Sequence, residues 1–376
     1  LTAHRAQFLD QLKDFLRFQS VSSQSEHRRD VHACATWLTR HLQKIGLNAK
    51  LHTTKSHPII VAVSSPRRRD VPTVLIYGHY DVQPPDPLEL WNTPPFRPVV
   101  RAGKLYGRGA SDNKGPLFAH IKGVESFLRT GAVLPVNVIF LIEGDEETVG
   151  TNLDVFVESR ARELRADYVV VSDSGMYSKK HPTLTYSTRG CVGFEIRVEG
   201  PSQDLHSGVF GGSVANPALV LSRLLAGCVD QNGHVAIPGF YDGVKLPAAW
   251  ELRAWKRLPF DANEYRDFLG VPALSGEKGF TPLEQRWARP TFEINGLTSG
   301  YQGAGGKTIV PAWASAKLSC RIVPNQSPAA VQRAVERHLR RQCPKSVRMK
   351  IVGGHVPWFF TKPDGPGAKA TLLALE

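Results

Sequence analysis

Apolar positions along the first half of the chain alternate between two periods. Phe8, Leu9, Leu12, Phe15 and Leu16 recur at helical spacing. So do Val31, Ala35, Leu38, Leu42 and Ile45, with Gly46 as the stop. Short unbroken apolar runs follow, IIVAV from Ile59 and TVLIYG from Thr73. A helical pattern then runs from Lys114 to near Gly131. After it come VNVIFLIEG from Val136, a helical pattern over 153–164 and YVVVSDS from Tyr168. Unbroken β-branched runs alternating with helices predict an α/β domain with a mostly parallel sheet buried on both faces.

The pattern changes near Gly190. CVGFEIRVEG alternates as a half-buried strand does. A helical pattern over 216–229 follows, then a long stretch rich in Trp, Pro and Arg, then FEINGL and ASAKLSCRIVP. A helix over 328–341 and VRMKIVGG complete the set. Strand, helix, strand, strand, helix, strand is the order of a split βαβ unit with an antiparallel sheet, an α+β domain of ferredoxin-like type. We expect residues 1–189 to form a first domain and 190–355 a second one inserted into it. Residues 356–376 return to the first domain, and AKATLLALE reads as the start of a helix.

Charge and composition narrow the picture only in part. The chain has 376 residues, a formal charge of +13, 41% hydrophobic and 22% charged residues. That is an ordinary globular balance. Arg67, Arg68 and Arg69 sit in a loop, and Arg333, Arg337, Arg340 and Arg341 on one helix. Neither cluster is interleaved with aromatics as a single-strand binding platform would be, so nucleic acid is not expected. No apolar run approaches ~18 residues, so no spanning helix or membrane partner is expected. Asp10, Lys13, Asp14 and Arg17 interrupt the first segment, which is no signal-peptide core. The chain starts at Leu1 rather than Met, which suggests trimming. Five scattered cysteines without a CxxC spacing suggest reduced thiols and a cytoplasmic setting.

The candidate chemistry lies at the strand ends. TVLIYG runs into His79-Tyr80-Asp81, FLIEG into Asp145-Glu146-Glu147, and YVVVS into Asp173. Asp112 lies in GRGASDNKG, a Gly-rich loop that opens a helix. Ligands of open α/β sheets bind at the carboxyl ends of the strands. Carboxylates gathered there repel one another unless a cation neutralises them. One His with several Asp and Glu suits Zn²⁺ or Mn²⁺, and a carboxylate between two ions can bridge them. Residues two apart on an extended chain share a face, so Asp81 is placed to hold the His79 imidazole in one tautomer.

The motifs GHYDVQP, WNTPPFRP, LYGRGASDNKG, EGDEETVGT, SDSG, DLHSGVFGG and GYQGAGGKTIVP, from about residue 8 to 355, resemble the metal-dependent dipeptidase branch of the zinc-peptidase superfamily. That group includes carnosine and cysteinylglycine dipeptidases, succinyl-diaminopimelate desuccinylase, aminoacylase and glutamate carboxypeptidase. The resemblance implies two divalent ions and hydrolysis of dipeptides or short peptides with a free C-terminal carboxylate. It makes His79, Asp112 and Asp173 ligands of one ion, with Asp112 bridging and Glu147 on the other. It makes Glu146 the general base that activates a metal-bridging water, and Asp81 the acid supporting His79. It implies a cis peptide at Asp112-Asn113. His206 becomes an oxyanion donor supplied across a homodimer formed through the inserted domain. Arg321 holds the substrate carboxylate, and Thr308 is a nearby hydroxyl contact.

The pattern departs from the family at one point. The resemblance implies a late His on the Glu147 ion and a Gly-Gly-Ser loop, both after the inserted domain. Only about twenty residues follow His355, and neither His338 nor His355 stands in the late-His context. A clipped chain is therefore expected, with a catalytically dead relative acting as a dimeric interaction module as the alternative. Within the enzyme class, N-acyl amino acid deacylase or desuccinylase activity is the rival reading.

Overall fold

The computed structural model describes residues 2–148 and 150–375. The chain divides into two compact units, Leu1–Met176 and Tyr177–Glu376.

The first unit runs α1 (Arg5–Leu16), α2 (Arg28–Lys44), β1 (Asn48–His52), β2 (Ile59–Val63) and β3 (Thr73–His79). A small hairpin follows, β4 (Val99–Arg101) and β5 (Lys104–Tyr106). Then come α3 (Lys114–Arg129), β6 (Asn137–Glu143), α4 (Asn152–Ser159) and β7 (Tyr168–Val171). Its main sheet has the order β1-β2-β6-β3-β7. β3 pairs in parallel with both β6 and β7, whereas β1 with β2 and β2 with β6 are antiparallel. The sheet is thus mixed rather than mostly parallel. The short link from His52 to Ile59 explains the difference, because a parallel pair needs a crossover of a dozen or more residues.

The apolar runs are unbroken because both sheet faces are covered. Ile60, Ala62, Ile76, Phe140 and Ile142 pack against Phe15, Leu38, Leu42, Leu117 and Ile121 of α1, α2 and α3. Their neighbours Ile59, Val61, Leu75, Ile139 and Leu141 face Phe156 and Leu164. Each buried Val, Leu, Ile or Phe among them contributes about 1.5–3 kcal/mol. α4 ends at Ser159, short of the expected residue 164.

The second unit begins with β8 (Ser187–Thr188), β9 (Gly190–Glu199), β10 (Leu205–His206), α5 (Ser207–Phe210) and α6 (Pro217–Ala226). The Trp-rich stretch carries three short helices, α7 (Ala249–Lys256), α8 (Ala262–Leu269) and α9 (Pro282–Trp287). β11 (Thr291–Ser299), β12 (Ile309–Val310), β13 (Trp313–Ile322), α10 (Pro328–Gln342), β14 (Arg348–Val356), β15 (Phe359–Phe360) and α11 (Pro366–Leu375) complete it. The main sheet is antiparallel throughout, in the order β11-β13-β9-β14. Val192, Phe194, Ile196 and Val198 of β9, with Ala314 to Ile322 at alternate positions of β13, pack on Leu221, Leu224 and Leu225 of α6 and Val331, Val335 and Leu339 of α10. The intervening positions, Glu195, Arg197, Lys317 and Arg321, lie on the uncovered face. Both covering helices start on side-chain caps. Asn216 Oδ1 accepts from the Ala218 N–H at 2.9 Å, and Ser327 Oγ from the Ala330 N–H at 3.3 Å. Pro217 and Pro328 fill their first positions.

Candidate metal centre

In the first unit three elements carry the polar groups to one place. β3 ends at His79, which lies opposite Glu143 at the end of β6. The chain beyond each strand is held rigidly. Tyr80 is fully buried, its hydroxyl donates to the Pro58 carbonyl at 2.7 Å, and its own carbonyl accepts from Ser20 Oγ at 2.7 Å. The Tyr80 ring leaves no room for a Cβ at residue 144, so glycine is required there. Beyond Gly144, buried Asp145 anchors the turn that bears the two glutamates. It accepts from Ser56 Oγ at 2.6 Å, the His57 N–H at 3.1 Å and Asn152 Nδ2 at 2.6 Å. Glu146–Thr148 then form a single 3-10 turn.

Donor atoms of His79, Asp112 and Asp173 lie within 4.8 Å of one another, and so do those of His79, Glu146 and Glu147. The fully buried His79 donates from Nδ1 to the backbone carbonyl of Asp81 at 3.1 Å. The tautomer is therefore set by the Asp81 main chain, with the Asp81 carboxylate 3.3 Å from the same nitrogen. Nε2 then faces Asp112 Oδ1 at 3.1 Å and Asp173 Oδ2 at 3.5 Å, and makes no hydrogen bond. A buried, orphaned nitrogen facing carboxylate oxygens matches what a divalent cation requires, and nitrogen with oxygen donors suits a borderline ion.

The electrostatics point the same way. Burial disfavours charge on His79, but contacts with Asp173 and Asp81 outweigh it and raise its pKa to about 11. Glu146 and Glu147 are both pushed up, first by burial. The charge of Glu147 adds to the effect at Glu146, and that of Asp112 at Glu147. Burial lifts Glu143 to about 7, against the Tyr77 hydroxyl that donates to it at 2.6 Å. Carboxyls that resist ionising together become stable anions once a cation sits among them.

Several supporting residues have no local motif that would reveal them. Asn113 donates through Nδ2 to Asp173 Oδ1 at 2.9 Å and to the Ser172 carbonyl at 2.8 Å, leaving Asp173 Oδ2 toward His79. The peptide between Asp112 and Asn113 is cis, as expected. Ser22 Oγ and the Glu147 N–H both donate to Asp81 Oδ2, at 2.6 and 3.1 Å. Gln83 Nε2 donates to Glu147 at 2.6 Å. Fully buried Lys114 donates to the carbonyls of Phe15 and Phe18 at 3.3 and 2.8 Å, tying the Asp112 loop to the end of α1. Its signal in sequence is only its adjacency to Asp112-Asn113.

Residues 75–368 match the peptidase family M20/M25/M40. The chain belongs to that family. It is 34% identical over 381 residues to human Beta-Ala-His dipeptidase, covering 96% of this chain and 75% of that protein. It is 33% identical over 388 residues to the Cys-Gly metallodipeptidase of Schizosaccharomyces pombe, covering 97% of this chain and 81% of that protein. Human carnosine dipeptidase 1 superposes with a TM-score of 0.87 at 32% identity, over 100% of this chain and 82% of that one. An M20 family metallo-carboxypeptidase from Sulfolobus solfataricus gives 0.87 at 33% identity, over 98% and 82%. The protein is thus an M20 metallopeptidase whose family implies divalent metal ions.

The other candidates of this M20 peptidase lie in the second unit and do not form one cluster there. Exposed His206 sits on β10, whose partner is β12, and the Ser207 N–H donates to the Thr308 carbonyl at 3.0 Å. His206 Nδ1 accepts from the Gly208 N–H at 3.0 Å. Both residues adjoin the Trp313 end of β13. Arg321 is at the other end, about 26 Å away at ~3.3 Å per strand residue.

Proposed function

We propose that this chain hydrolyses dipeptides or short peptides with a free C-terminal carboxylate, using two divalent ions, Zn²⁺ in our assignment, with Mn²⁺ served by the same donors. The observation that carries the reading is the orphaned Nε2 of His79 facing Asp112 and Asp173, beside Glu146 and Glu147. The names of the dipeptidase relatives support the substrate class. His79, Asp112 and Asp173 would hold one ion, and Asp112 with Glu147 the other. Bound ions supply Lewis acidity to the scissile carbonyl and acidify water.

The chain's own residues do the rest. Glu146, open to solvent yet with its carboxyl partly desolvated and its pKa raised by that and by neighbouring acids, takes the proton of the attacking water and passes it to the departing amine. Asp81 positions His79 and the Glu147 backbone. Arg321 binds the C-terminal carboxylate through its guanidinium fork. His206 donates to the developing oxyanion, with Thr308 beside it. An extended dipeptide is far shorter than the ~26 Å between the two ends of β13. Arg321 and His206 of one protomer therefore cannot grip one substrate, which supports a homodimer with His206 and Thr308 supplied by the partner.

We also place residues 190–355 as the dimerising insert and the protein in the cytoplasm. All five cysteines are free, which fits a reducing compartment. Among the described residues no helix is long and apolar enough to cross a membrane. The substrate test compares dipeptides, their C-terminal amides and N-acetyl amino acids. Dipeptides should be cleaved and the amides spared. Faster turnover of N-acetyl amino acids would overturn the peptidase assignment.

A further inference from the structure

The uncovered face of the second unit's sheet gathers guanidinium groups that no acid neutralises. On this face Arg321 of β13 lies between Thr291 of β11 and Cys191 of β9. Arg189 immediately precedes β9, two residues before Cys191. Its neighbour Gly190 faces Ile322 on the core side. The Arg189 side chain reaches across β13, because its Nη1 donates to the Arg289 carbonyl at 3.4 Å, just ahead of Thr291. That path keeps its guanidinium near enough to Arg321 for the two charges to interact. Arg286 of α9 approaches from the end of the Trp-rich segment, resting on the Tyr265 ring at 5.1 Å.

Of the two acids nearby, only Glu293 faces these arginines, through its charge and without pairing. Glu277 is gripped by Arg289 through two bonds of 2.6 and 2.7 Å and by His234 at 2.9 Å. Glu293 makes no ion pair with Arg189, Arg286 or Arg321 among the described residues. Burial first, and then the charges of Arg321 and Arg286, lower the Arg189 pKa, and Glu293 offsets this in part. Arg321 itself has no hydrogen-bond or ion-pair partner among the described residues. Like charges gathered around a half-buried guanidinium repel one another, and an anion among them relieves that repulsion. One free carboxylate occupies one fork, so this arrangement has capacity for a second.

We infer that Arg189, with Arg286, forms a second anion anchor beside Arg321 and selects substrates whose C-terminal residue is Glu or Asp. This rests on the assignment of Arg321 to the α-carboxylate. The side-chain carboxylate of the same residue is two carbons from the α-carboxylate in Asp and three in Glu, and meets Arg189 and Arg286. The anchor is a specificity device and takes no part in proton transfer.

The test pairs Ala-Glu with Ala-Gln, which differ by charge at nearly equal size. Wild-type kcat/KM should favour Ala-Glu by about tenfold or more, the scale of one charge-assisted hydrogen bond. Arg189→Gln and Arg286→Gln should each collapse that ratio toward one, and Arg189→Lys should keep part of it. A wild-type ratio near one, or a ratio unmoved in both glutamine variants, would overturn the inference. Arg286 is exposed on a short helix, so R286Q decides the matter if R189Q unfolds early. Calorimetric binding of L-glutamate against L-glutamine separates this inference from the peptidase reading. Glutamate preference that depends on Arg189 without any dipeptide turnover leaves the anchor standing and removes the peptidase. Turnover of both dipeptides at equal rates does the reverse.

Discussion

Replacing Asp81 with Asn removes one charge while keeping the shape, at a fully buried position that touches the metal centre on two sides. One carboxylate oxygen accepts from Ser22 Oγ and the Glu147 N–H at 2.6 and 3.1 Å, and the other stands 3.3 Å from His79 Nδ1. An amide has one oxygen and one NH₂ to offer. With the oxygen toward Ser22 and Glu147, the NH₂ faces the imidazole N–H, donor against donor. Flipped, it faces the Glu147 N–H, which cannot turn away, and a buried unmet donor costs about 1–3 kcal/mol. Either way the negative charge behind His79 is lost. At 3.3 Å and an effective dielectric near 20, that charge is worth at most ~5 kcal/mol to a cationic imidazole. Loss of such an outer partner lowers metal affinity by about 10–100-fold, or ~1.4–2.7 kcal/mol. Competition with a fluorescent zinc chelator measures this directly, with an unfolding curve on the metal-free protein as control. Unchanged zinc affinity in a folded Asp81→Asn protein would refute the role given to this carboxylate.

A homodimer with shared sites predicts complementation. Glu146→Gln and His206→Asn should each be nearly inactive, while refolded mixtures should recover about a quarter of wild-type activity, since half the dimers are mixed and each keeps one intact site. No recovery in demonstrably mixed dimers would place His206 outside a shared site. His41 supplies a pH test of stability. Burial first, and then the neighbouring Lys122, lower its pKa to about 4. The unfolded chain, with a His pKa near ~6.5, binds the extra proton between those values, so stability should fall as pH drops from about 6.5 to 4, by about 2 kcal/mol. Denaturant titrations at both ends should show that loss shrink in His41→Gln, and an equal loss in both proteins would contradict it. Glu277→Leu leaves buried Arg289 without its two bonds and should cost about 3–5 kcal/mol, seen as a lower unfolding midpoint. A midpoint like the wild type's would mean that water or another acid takes over.

The parts of the fold written in local periodicity were legible from the sequence. α3 and α10 follow helical spacing closely, and the unbroken runs of β2, β3 and β6 reflect burial on two faces. β1 was missed because NAKLH is a half-exposed edge strand with little apolar content, and the antiparallel pairing of β2 with both β1 and β6 makes the sheet mixed. The short helices α7, α8 and α9 carry few buried residues, so no apolar stripe announces them. At the site, strand ends made His79, the glutamates and Asp173 visible, because acids after apolar runs are conspicuous. Asn113, Ser22, Gln83 and Lys114 were not visible, since each acts through a contact between residues distant in sequence. The hold on the His79 tautomer came from the Asp81 carbonyl, and a backbone group leaves no mark in sequence. Arg189 has no signal in sequence, because its relation to Arg321 exists only through the pairing of β9 with β13.

The most direct test of the account measures bound metal and turnover together in Glu146→Gln. Glu146 is given the proton-transfer role and is not one of the four assigned ligands. The variant should therefore hold as much zinc per chain as the wild type, while kcat on a dipeptide falls by about 10²–10⁴-fold. Wild-type turnover with zinc bound would contradict the proton-transfer role. Loss of zinc in step with activity would make Glu146 a ligand and require the roles around His79 to be redrawn.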